Sequence, residues 1–157
     1  MRFLITALCA ALVSIVAPTM HSSSVRAHCQ VPCGIYDDAA RLQAMREDAA
    51  TIRKAVVKAT ELSKNLKKNI NQVSRWIATK EQHATRIITT VAEYFLTQKL
   101  KPVSPKEAGY SEYLERLAVH HRVMRWAMKN KQQLDLGTVS KLDSAIEDLA
   151  KVWTPSK

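Results

Sequence analysis

Glycine and proline are scarce, three and five in a chain of 157 residues. No stretch alternates apolar and polar residues as a half-buried strand does. A Gly-rich phosphate loop, a Gly-x-Ser-x-Gly elbow and a His-Glu-x-x-His helix are all absent, so the chemistries that depend on them are not indicated. Cysteine is sparse too. Cys9, Cys29 and Cys33 form no Cys-x-x-Cys pair, which argues against thioredoxin-type exchange. The apolar run at residues 3–16 is too short for a membrane span, and no other stretch is apolar enough to be one. Internal repeats and low-complexity tracts are also missing.

That apolar run reads as the core of a secretory leader. Arg2 precedes it, Pro18 breaks it, and Val25-Arg26-Ala27 offers modest residues at a cleavage site. The alternative is an uncleaved anchor. Residues 1–27 are therefore expected to be removed, so that the protein is exported and has no stable membrane association afterwards. Export implies a bacterial periplasm, the extracellular space, or a eukaryotic secretory or organellar compartment. The formal charge of the whole chain is +10. Arg2 and Arg26 are the only charges in the leader, which leaves +8 for residues 28–157. A basic protein favours anionic partners. No basic-aromatic motif of a nucleic-acid reader is present, and no nucleic-acid partner is expected.

The remainder patterns as four amphipathic helices. Helix one starts at Asp37 or Asp38, either of which complements the helix dipole. Its seam is Leu42, Met45, Ala49, Ile52, Val56, Ala59, Leu62 and Leu66. It ends within residues 64–69. Helix two carries Ile70, Val73, Ile77, Ala84, Ile87, Ile88, Val91 and Phe95 and runs to about Leu100. Residues 101–109, with Pro102, Pro105 and Gly109, form a connector. Helix three, from about Ser111, shows Leu114, Leu117, His121, Met124 and Met128 on one stripe. His121 is thereby a core or interface histidine and His120 a solvated one. Helix four follows a break at residues 135–138, begins at Thr138 or Val139, and uses Leu142, Ile146, Leu149 and Val152, with Trp153 near its end. Trp76 and Trp126 lie beside Arg75 and Arg125 and read as cation–π pairs or subunit packing. The fold class is all-α: an antiparallel four-helix bundle over residues 37–157, preceded by an irregular metal-binding hook at residues 28–36.

In the hook, metal-binding side chains crowd together. Cleavage before His28 would free an α-amine beside an imidazole, followed by the Cys29 thiolate and, four residues on, that of Cys33. The amide nitrogen between His28 and Cys29 can complete a chelate ring. Amine, amidate and two sulfurs make a square-planar set suited to nickel(II) or copper(II), with the imidazole as an axial fifth ligand. Pro32 can fix the turn that returns Cys33, and Gly34 permits close backbone approach. Spacing alone leaves a metal and a Cys29–Cys33 disulfide equally open.

The string His28-Cys29-x-x-Pro32-Cys33-Gly34-x-Tyr36 resembles the nickel hook of nickel-containing superoxide dismutases. Lys80-Glu81-Gln82 in helix two is also similar. The resemblance implies disproportionation of superoxide to dioxygen and hydrogen peroxide at one nickel ion per subunit, cycling between +2 and +3. It assigns the amine and imidazole to His28, the amide nitrogen and thiolate to Cys29, and the second thiolate to Cys33. Tyr36 is implied to line the substrate approach, while Pro32 and Gly34 shape the hook. A homohexamer is implied as well. Where some members have a helix-one glutamate that orients the imidazole, the nearest position here is Gln43. Where some have an arginine after Lys-Glu-Gln, this chain has His83. Gln30 stands where some have aspartate. The rival functions are a secreted nickel or copper carrier without turnover, and a basic helical interaction module with a Cys29–Cys33 disulfide.

Overall fold

The computed structural model describes residues 38–154. The expected leader and hook lie outside the described residues. Four helices and no strand are present among the described residues: α1 (Asp38–Ser63), α2 (Leu66–Thr89), α3 (Tyr110–Gln132) and α4 (Leu136–Trp153). α2 continues without a break into a π-helical segment, Thr90–Lys99.

Periodicity explains most of the core. Leu42, Met45, Ala49, Ile52, Val56 and Ala59 recur at steps of three and four on α1 and are all buried. They meet Ala84, Ile87, Val91 and Phe95 from α2 and its extension, Val123 and Ala127 from α3, and Val139, Leu142, Ile146 and Leu149 from α4. α1 packs on α2 and α4, and α3 on the same two. This is the antiparallel bundle that short connections impose. The α1–α2 turn is only Lys64 and Asn65, closed by Asn65 N donating to Leu62 O at 3.3 Å. Gly109 starts α3 with φ +89°, a left-handed conformation that costs glycine little.

Three sequence expectations shift. α4 begins at Leu136, earlier than Thr138, because the Asp135 carboxylate caps it by accepting from Gly137 N and Thr138 N. α2 ends where the pattern put it, but its last ten residues are π-helical. The face of α3 is displaced most. His120, Val123, Ala127 and Asn130 point inward, whereas His121 is exposed and Leu114 and Met128 are largely so. The inward nitrogen donors are paired. His120 Nδ1 donates to Arg116 O at 2.6 Å, and Asn130 Nδ2 donates to Trp126 O and Thr138 O. Only the buried Asn130 Oδ1 lacks a partner among the described residues, and these bonds let both residues occupy positions where hydropathy favours leucine and methionine.

α2 meets the end of α3 at Lys80, whose ammonium donates to the backbone oxygens of Asn130, Lys131 and Gln133. Residues 66–79 therefore run beyond α3. Leu66 and Ile70, on the core stripe, remain exposed there.

Candidate functional site

A polar cleft of about 510 Å³ opens between α1 and α2. At its floor the Asp48 carboxylate, on the buried side of α1, accepts from His83 Nδ1 at 2.7 Å and from Arg86 Nη2 at 2.7 Å. His83 and Arg86 are three apart on α2, so both face α1. Arg86 also lies 2.9 Å from His83 Nε2. The group is thus a carboxylate–imidazole pair with a guanidinium across it, a form that fixes ring orientation. Arg41, Thr89 and Thr90 line this cleft and a smaller one of about 210 Å³ that reaches Tyr94. The two form a continuous polar surface along the first turns of α1.

That surface begins at Asp38, to which residues 28–37 are joined in the chain. Asp38, the first residue of α1, stands two positions after Tyr36. Its Oδ1 accepts from the Tyr94 hydroxyl at 2.8 Å, and its Oδ2 lies 3.2 Å from Lys99 Nζ. The guanidinium of Arg41 sits 5.5 Å from the Tyr94 ring centre, a cation–π distance.

Two further buried groups are structural. Burial pushes the Lys80 ammonium below its ordinary pKa, and three carbonyl oxygens at the end of α3 hold it. His120 closes the opposite end, near the C-terminus of α4. Its Nε2 accepts from Trp153 Nε1 at 3.0 Å, and burial moves its pKa down. Phe95 completes an aromatic cluster with both rings.

His28, Cys29, Pro32, Cys33, Gly34 and Tyr36 lie outside the described residues. Among the described residues no group of three or more His, Cys, Asp and Glu could hold a metal ion. Gln43 is exposed and donates to Glu47 Oε1 at 3.2 Å, with no hydrogen bond to His83. The carboxylate that His83 does meet, Asp48, was missed. Its signal is an acid beside Ala49 in the seam, level with a His–Arg pair three apart on the next helix. Trp126 takes its cations from Lys129 and Lys141, at 4.6 and 4.9 Å, where Arg125 was the expected partner. Spacing explains this, since Lys129 is one helical turn on and Arg125 is the adjacent residue, facing elsewhere.

The family model of nickel-containing superoxide dismutase matches residues 23–157. No curated protein and no solved structure that was compared matches the chain. A match that takes in the whole bundle and all of residues 28–36 makes this protein a member of the nickel-containing superoxide dismutase family.

Proposed function

We propose that residues 28–36 form the nickel site of this superoxide dismutase, with the ligands supplied by a chain that begins at His28. The observation that carries the assignment is the family match from residue 23, which contains every donor and leaves the apolar run at residues 3–16 outside. The donor chemistry fits. Two thiolates, an amidate and an amine are strongly donating and suit a square-planar d⁸ ion. Nickel held by such donors supplies one-electron exchange with superoxide, because anionic ligands bring its +3 state within reach.

The protein's own residues do the rest. His28 would give its α-amine and imidazole, Cys29 an amide nitrogen and a sulfur, and Cys33 the second sulfur. Pro32 and Gly34 set the turn. Tyr36 would line the approach and could hold water for proton delivery. Of the two expected supports for the imidazole, His83 has the better surroundings, backed by Asp48 in the cleft; Gln43 faces solvent. Arg41 and Arg86 line that cleft together with Glu47 and Asp48, and Arg41, nearest the start of α1, could meet a small anion there.

Residues 1–27 would direct the protein out of the cytosol, and their removal would make the α-amine available. No described helix is long and apolar enough to cross a membrane. Leu66, Ile70, Leu114 and Met128, exposed on helix faces, support burial against further copies of the chain, up to a homohexamer.

Native mass spectrometry of the naturally processed protein tests the reading. The expected species starts at His28, carries one nickel per chain with both thiols reduced, and contains six chains. A metal-free chain two hydrogens light would place a Cys29–Cys33 disulfide there instead. Nickel without superoxide consumption would make the protein a carrier. Adding one residue before His28 is expected to abolish activity and leave the helices intact.

A further inference from the structure

The π-helical segment has a consequence at its two ends. On an α-helix, residues five apart point about 140° away from each other. A π-helix closes hydrogen bonds from i to i−5 and so brings them to the same side. Here Leu100 N donates to Phe95 O at 2.8 Å, Thr97 Oγ1 to Ala92 O at 2.7 Å, and Gln98 Nε2 to Glu93 O at 3.1 Å. Five-residue spacing thus governs this stretch. Tyr94 and Lys99 are five apart, and both reach one carboxylate, that of Asp38. With α-helical winding, one of the two would point elsewhere.

Both donors are themselves held. The Tyr94 ring is buried and stands edge-on to Phe95, with centroids 5.0 Å apart and planes at 81°. The Lys99 ammonium lies 5.8 Å from the Trp153 ring centre. π-helical turns occur mostly as single-turn bulges and gather at functional sites. Ten residues of one, spent on gripping the first residue of α1, call for a role at that point.

We propose that Tyr94, Lys99 and Asp38 form a clamp that fixes where residues 28–37 leave the bundle. They are thereby positioning residues for the nickel donors, an inference that rests on the assignment of the hook above. Cys33 is five residues from Asp38 and Tyr36 only two. Over so short a tether, freedom at the root becomes displacement of the thiolate and the hydroxyl. Ordering that root in advance removes conformational entropy that metal binding would otherwise have to overcome.

The test uses the chain from His28 to Lys157 with Tyr94→Phe and Lys99→Met combined, which removes both donors and keeps their bulk. Helical circular dichroism is expected to stay as in the parent. Nickel release to a chelator is expected to rise about tenfold, and the electron-resonance line of the oxidised centre to broaden. Lys99→Arg, which keeps the charge, is expected to retain parental release. In the nickel-free protein, amide exchange over residues 28–40 is expected to quicken in the double variant. Unchanged exchange there overturns the clamp whether or not nickel binds. Parental release and line shape in the double variant overturn its role toward the metal. Faster exchange in a chain that takes up no nickel at all would keep the clamp and overturn the hook assignment.

Discussion

A neutral histidine can donate from one ring nitrogen and accept at the other, and His120 does both. Nδ1 donates to Arg116 O, and Nε2 accepts from Trp153 Nε1. A second proton would set two N–H groups against each other in a buried aromatic cluster, beside the cations Arg116 and Lys99 that flank Trp153. Burial, the larger influence, and the charge of Arg116 lower the pKa of His120, against the opposing pull of its backbone hydrogen bond. With the folded value below about 6.5, the unfolded chain binds more protons in that interval, and stability falls as pH drops. The urea midpoint is expected to decrease from pH 7.5 toward pH 5, with Trp153 fluorescence changing in step. In His120→Gln, which cannot titrate, the part of the slope due to this residue disappears; an unchanged slope would assign it elsewhere.

At the scale of the helices, the seams of α1 from Leu42 to Ala59 and of α4 from Leu142 to Leu149 were legible because their core positions are mostly apolar; Asp48 and Thr138 are the buried polar exceptions, and Leu66, expected on the first seam, lies exposed at the start of α2. The seam of α2 was legible from Val73 onward with one gap, while Ile70 before it is exposed. Between Ile77 and Ala84 the missing inward step is Lys80, a charged residue that three carbonyl oxygens at the end of α3 make acceptable. The inward face of α3 was misread for the same reason, since His120 and Asn130 are core residues only through hydrogen bonds to Trp153 and Thr138 that form in the folded chain. The π-helical winding has no marker in hydropathy at all. The membership in the family was legible through the identities and order of residues 28–36. The contacts of Asp48 with His83 and of Asp38 with Tyr94 and Lys99 join different elements and could not be read that way. The same contacts make the bundle uneven. Residues 66–79 run past α3 with α1 as their main support, and Leu66 and Ile70 are 47% and 58% exposed. Amides of residues 66–72 in the isolated subunit are expected to exchange at least about tenfold faster than those of residues 84–91. Equal protection would show that the tip is as well held as the middle. Protection at the tip that appears only on assembly would place a subunit contact there.

For the molecule as a whole, the question is which charges a small anion feels. Residues 28–157 carry a formal +8, yet an exposed charge acts over only about 8 Å at physiological ionic strength. α1 separates the root at Asp38 from the tip near Lys64 by roughly 39 Å, the length of its 26 residues. Arg41 lies near the root, while Lys64, Lys67 and Lys68 surround the tip without ion pairs among the described residues. For an enzyme limited by encounter with superoxide, the two groups must behave differently. Reversing the three tip lysines to glutamate takes the net charge from +8 to +2. It is expected to lower kcat/KM severalfold at about 10 mM salt, where the screening length is near 30 Å, and to have little effect at about 150 mM. Arg41→Gln removes one charge and is expected to lower kcat/KM at both salt concentrations, with helical content unchanged. Stopped-flow superoxide decay across ionic strength separates these outcomes. A tip variant that stays slow at 150 mM would place the path of the anion at the tip, away from the cleft beside Arg41.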